Sequence, residues 1–146
     1  MPYGLLVTLH LLAAIAFAGT VFFEVVILGG IARKLPARAL LPVEQALGTR
    51  AVAVMPWVLL LLYAAGLAMA WQHRALLAQP LASSLGLLLS IKMLLAFSVF
   101  GHFAMAMRWR RRGQLHARRS RRLHLSIFCH VLAIVVLAKA MFYVSW

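Results

Sequence analysis

The chain has 146 residues, 65% of them hydrophobic and only 12% charged, with 15 Lys or Arg against 2 acids and a net charge of +13. This much apolar sequence in one domain's length excludes an ordinary water-soluble globule. The positive charge does not point to nucleic acid, because it is gathered between apolar runs. The single Cys129 excludes an internal disulfide, and the absence of any CxxCH motif excludes c-type haem attachment.

Four apolar runs, at about residues 4–28, 51–71, 84–107 and 123–146, each reach the roughly 20 residues that a helix needs to cross ~30 Å of hydrocarbon. They predict an all-α integral membrane protein, an antiparallel four-helix bundle in a single domain. The first run contains the small-residue stretch "AIAFAG" but no basic segment before it. It also exceeds the roughly 7–15-residue apolar core of a secretory signal, so it reads as a permanent helix. On it His10, Phe17, Val21 and Glu24 are spaced 7, 4 and 3 apart and share one face. The connection 29–50 opens with Gly29–Gly30 and contains Pro36 and Pro42, which predicts short interfacial helical pieces and no continuous helix. It also carries Arg33, Lys34, Arg38 and Arg50.

The second run ends at Trp71, with His73 just beyond it at headgroup level, and the connection 72–83 holds only Arg74 as a basic residue. The third run, "LLLSIKMLLAFSVFGHF" over 87–103, carries Lys92 and His102. The stretch "RWRRRGQLHARRSRR" (108–122) follows with 8 arginines, and His116 and His124 lie in or beside it. His130 and Lys139 lie in the fourth run. No internal repeat of fixed period stands out. Trp57, Trp71, Trp109 and Trp146 all fall near span ends, where amphipathic rings favour the interface. By the positive-inside rule the basic loops 29–50 and 108–122 are cytoplasmic and both termini periplasmic, in a bacterial inner membrane. The arginines then face anionic lipid headgroups.

Depth sorts the intramembrane polar residues into two layers. At 1.5 Å rise per residue, His10, Lys92 and Lys139 lie ~6–9 Å to the outer side of the span midpoints. His102, His130 and Glu24 lie ~6–12 Å to the inner side, so the layers are roughly 15 Å apart. A histidine or lysine in hydrocarbon costs several kcal/mol unless something compensates. Glu24 sits in the layer opposite both lysines, which leaves them without an obvious carboxylate. Haem b meets both needs, with iron for imidazole ligands and propionates for cations. His102 and His130 form a candidate bis-histidine pair in the inner layer. In the outer layer His10 is a candidate axial ligand, with Lys92 or His73 as the other, or with Lys139 on a propionate. One haem or two both fit. Copper is the rival: Met55, Met69, Met93, Met105, Met107 and Met141, with Cys129, offer soft donors for Cu(I).

"LHLLAAIAFAGTVFF" (9–23) resembles the first helix of the CopD copper-resistance membrane family and of the HemJ-type protoporphyrinogen oxidases, and "IKMLLAFSVFGH" (91–102) resembles their third. The resemblance spans most of the chain and implies a four-helix membrane fold. For the HemJ type it implies haem b associated with His10 and Lys92, and oxidation of protoporphyrinogen. For CopD it implies copper uptake with a periplasmic copper carrier. His130 and Lys139 lie beyond that pattern. The expected function is therefore a haem b protein of the inner membrane, acting in electron transfer or as a redox enzyme component with a quinone or porphyrinogen partner. The alternative is a CopD-type copper transport or resistance protein. A homo-oligomer is left open.

Overall fold

A computed structural model describes residues 2–114 and 117–144, so His116 and Trp146 lie outside the described residues. Every regular element among them is helical. Helix α1 begins at Tyr3 and runs to Ile31, with a wider π-helical turn over Phe23–Leu28. Helix α2 is Ala37–Gln72, α3 the short Arg74–Ala78, α4 Ser84–Arg111 and α5 Ala117–Ala140, with a 3₁₀ turn at Pro80–Ala82 before α4. Four of these segments, Tyr3–Ile31, Ala37–Gln72, Ser84–Arg111 and Arg119–Ala140, are long and apolar enough to cross a membrane. The chain divides into two compact units, Met1–Gln72 and His73–Trp146.

In the first unit a short link over 32–36 returns the chain so that α2 packs along α1. On α1, Leu6, Ala13, Phe17 and Val21 are buried, and on α2 Leu59, Ala65 and Ala70 are. This is the apolar stripe that helical spacing demands. The α1 face that carries Phe17 and Val21 is thus turned inward, and His10 and Glu24 on it are half-buried. Leu11, Leu12, Ile15, Leu60 and Leu67 point outward, which in water would be costly and in lipid is not.

The connection 29–50 departs from the sequence expectation, because α2 starts at Ala37 and continues through both Pro42 and Pro56. Each proline removes one backbone donor and costs roughly 3 kcal/mol in a helix interior. Around Pro42, "ARALLPVEQAL" is otherwise made of strong helix formers. Pro36 anchors the first turn, since Ala39 N–H and Leu40 N–H both donate to its carbonyl at 2.9 and 3.2 Å. Pro56 lies inside an apolar span, where such breaks are tolerated.

In the second unit α4 packs against α3, the 3₁₀ turn and α5. Ser83 caps α4, its Oγ accepting Gly86 N–H at 3.1 Å. A Cβ on Gly86 would meet the Leu76 and Pro80 carbonyl oxygens at 3.1 and 3.2 Å, so the close approach of that connection needs glycine there. The far end of α4 closes with Gly113 at φ 64°, where Gly113 N–H donates to Arg110 O at 3.1 Å and Gln114 N–H to Trp109 O at 2.9 Å. This αL stop ends α4 and begins the turn back to α5. Val99 on α4 and Leu123 and Ile127 on α5 are buried. Helix α5 ends at Ala140, short of the expected limit of the fourth span, and turns follow to Tyr143.

Candidate functional site

His10 sits on the buried stripe of α1, and its Nδ1 lies 2.9 Å from the carbonyl oxygen of Leu62 on α2. A carbonyl only accepts, so Nδ1 carries the hydrogen and Nε2 the lone pair. The imidazole reaches this carbonyl because residue 66 has no side chain: a Cβ on Gly66 would lie 3.1 Å from His10 Cε1 and 3.2 Å from Nδ1. Gly66 is thus the floor on which the ring rests. A histidine that holds a metal almost always donates its other ring N–H in this way, to a carboxylate or a backbone carbonyl.

The second cluster joins α4 and α5. His102 and His130, expected at similar depth on neighbouring helices, do come together, with ring centroids 5.1 Å apart and planes tilted by 54°. Each Nδ1–H donates to the carbonyl one turn back on its own helix, His102 to Ser98 O at 2.7 Å and His130 to Ser126 O at 2.8 Å. Each Nε2 then carries the lone pair and accepts a hydroxyl from the opposite helix. Ser126 Oγ–H donates to His102 at 3.0 Å, and Ser98 Oγ–H donates to His130 at 3.1 Å. The two cross-helix rungs run in opposite chain directions, so α4 and α5 are antiparallel here.

Two imidazoles that share one metal must bring both Nε2 atoms to about 2 Å from it. In this cluster both lone pairs end on serine hydroxyls, and a metal between the rings would require both of those bonds to be given up. No group of three or more His, Cys, Asp or Glu placed to hold a metal ion occurs among the described residues.

The other residues singled out in the sequence are more scattered. Lys92 is half-buried on α4, ten residues before His102 and so ~15 Å from it along the axis. Lys139 is exposed in the last turn of α5, with Nζ 5.2 Å from the Tyr143 ring centroid, a cation–π contact at the helix end. His73 is the residue preceding α3, and its carbonyl accepts Leu76 N–H and Leu77 N–H at 3.0 and 3.2 Å. His124 is half-buried on α5 and Cys129 is exposed. Glu24 lies within the π-helical turn of α1. At the basic end of the helix pair, Arg119 stacks over Trp109, its guanidinium carbon 5.5 Å from the ring centroid.

Four participants did not stand out in the sequence: Leu62, Gly66, Ser98 and Ser126. The serines had a signal, since "SVFGH" (98–102) and "SIFCH" (126–130) repeat the pattern Ser–aliphatic–Phe–x–His once on each helix. Comparison of the chain with protein-family models, curated proteins and solved structures gives no match. What fold and composition define is the class: an all-helical chain with four helices long and apolar enough to span a membrane, as in a multi-pass membrane protein. Within it, three half-buried histidines, His10, His102 and His130, each donate Nδ1–H to a backbone carbonyl, which leaves the lone pair on Nε2.

Proposed function

We propose that this is a haem b-binding protein of the bacterial inner membrane, acting in electron transfer or as a component of a membrane oxidoreductase, with His10 as an axial ligand. The observation that carries the reading is the His10 Nδ1–H bond to the Leu62 carbonyl over Gly66. It orients the ring, sets the tautomer and raises the basicity of Nε2, the three things a protein does for a metal-binding imidazole. When bound, haem supplies one-electron chemistry that side chains lack. The chain's own share is to hold the imidazole in place and to present an apolar surround. His102 and His130 are not needed for the iron in this account. A quinone or a porphyrinogen is the partner class, and the arginine-rich turn faces the cytoplasm and its anionic lipids.

The reading is tested by haem content. His10→Ala should lose most of the haem of the purified protein, whereas His102→Gln and His130→Gln should keep it. Lys92, the other residue that the HemJ resemblance associates with haem b, is measured by Lys92→Ala in the same way. Full haem retention in His10→Ala would remove the assignment.

A further inference from the structure

A groove of about 510 Å³ runs along one face of α2, lined by Pro42, Gln45, Ala46, Thr49, Arg50 and Ala53. Its shape follows from their spacing. Pro42, Ala46, Thr49 and Ala53 are 4, 3 and 4 residues apart, so they share one ridge of the helix, and their small side chains make the floor. Gln45 and Arg50 lie about 140° apart around the axis, one on either side of that floor.

The polar groups of the groove differ in kind. Arg50 is exposed, and among the described residues none makes a hydrogen bond or ion pair with its guanidinium. Glu44, the acid of this helix, lies about 120° around the axis from Arg50, on the side away from the groove. Thr49 donates its hydroxyl hydrogen to the Gln45 carbonyl at 2.9 Å, which leaves its oxygen to accept. Pro42 has no N–H, so the Arg38 carbonyl loses its helical donor and is a second acceptor at that end. The groove thus offers a cation and an amide to an anion, and oxygen acceptors to hydroxyls.

Placement narrows the ligand further. Arg50 immediately precedes the apolar run 51–71, the level at which lipid phosphates lie. Beyond Ala53 the same face continues into the run as Trp57 and Leu60, 71% and 61% exposed. A charged end at the boundary and an apolar path into the span fit one molecule with an anionic head and an acyl chain. A free anion would use only the head.

We propose that this groove binds one anionic phospholipid with a hydroxylated headgroup, such as phosphatidylglycerol. Its phosphate accepts from Arg50 and Gln45, and its headgroup hydroxyls donate to Thr49 Oγ1 and the Arg38 carbonyl. One acyl chain follows Ala53, Trp57 and Leu60. The general attraction of anionic lipid to the arginine-rich turn needs no groove and is a separate effect. The site does not involve His10, so the haem assignment and this one fail separately.

The test is native mass spectrometry of the full-length protein, released from micelles that contain equal amounts of phosphatidylglycerol, phosphatidylcholine and phosphatidylmethanol, an anionic lipid without headgroup hydroxyls. One phosphatidylglycerol per chain should be retained, at least about fivefold more than phosphatidylcholine, as one arginine at the membrane surface implies. Arg50→Gln should lower phosphatidylglycerol to the phosphatidylcholine level and leave phosphatidylcholine unchanged, which a misfolded protein would not do. Arg111→Gln removes the same charge from the arginine-rich turn and should keep the preference. Ala53→Leu should reduce phosphatidylglycerol with the charge unaltered, and Thr49→Val should abolish its advantage over phosphatidylmethanol. Equal retention of the three lipids, a preference unchanged in Arg50→Gln or Ala53→Leu, one lost in Arg111→Gln, or displacement of the lipid by an equal concentration of free glycerol phosphate would each overturn the proposal.

Discussion

Gly66 decides where His10 can go. Any side chain there would enter the space of the imidazole, with a Cβ at 3.1–3.2 Å from two ring atoms. Gly66→Ala should therefore push the ring off the Leu62 carbonyl by a few tenths of an ångström. Alanine gains about 1 kcal/mol over glycine in a helix interior, so thermal unfolding of the variant in micelles should be little changed. The expected result is less haem per protein at near-native stability, and a variant that loses both together would indicate damage to the α1–α2 packing instead. His10 itself was legible in the sequence, because a histidine within an apolar run is conspicuous. Its partners were not, since one is a backbone carbonyl and the other a residue with no side chain. Lys139 was legible for the same reason, whereas its contact with the Tyr143 ring, just past the helix end at Ala140, was not.

Helix pairs are held by few polar contacts in lipid, so each contact can be weighed. An interhelical hydrogen bond in a membrane is worth about 0.6–2 kcal/mol. Ser98→Ala and Ser126→Ala should each destabilise the α4–α5 pair by about 1 kcal/mol in equilibrium unfolding in mixed micelles, because each leaves one half-buried imidazole lone pair without its donor. No measurable loss in either would mean that the rungs are not formed. At the end of α4, Gly113 holds a positive φ that costs other residues about 1–2 kcal/mol. Gly113→Ala should destabilise by about 1 kcal/mol, measured by the same unfolding. Element type was readable from run length alone, and the start of α4 was readable to the residue. The continuation of α2 through Pro42 was not, because proline and paired glycines suggest a break while the residues around Pro42 favour helix. The Ser–His pattern was not legible as a repeat, because two five-residue stretches do not define a period and serine is unremarkable in a helix.

At the scale of the whole molecule, charge placement makes a prediction about orientation. With 8 arginines in 108–122, the turn between α4 and α5 should face the cytoplasm. A Gln114→Cys variant carrying Cys129→Ala should resist a membrane-impermeant thiol reagent in spheroplasts and react in inverted vesicles, and the opposite pattern would invert the topology. Four apolar runs announce four helices, but sequence depth alone does not say which faces meet. Depth correctly brought His102 and His130 near each other and could not show that serines take their lone pairs. The haem assignment at His10 is the centre of the account, and the absorbance spectrum of the protein purified from haem-replete cells tests it most directly. The account predicts a Soret band, with α and β bands that sharpen on reduction, and most of their intensity lost in His10→Ala. A colourless wild-type preparation, or an unchanged spectrum in His10→Ala, would contradict it.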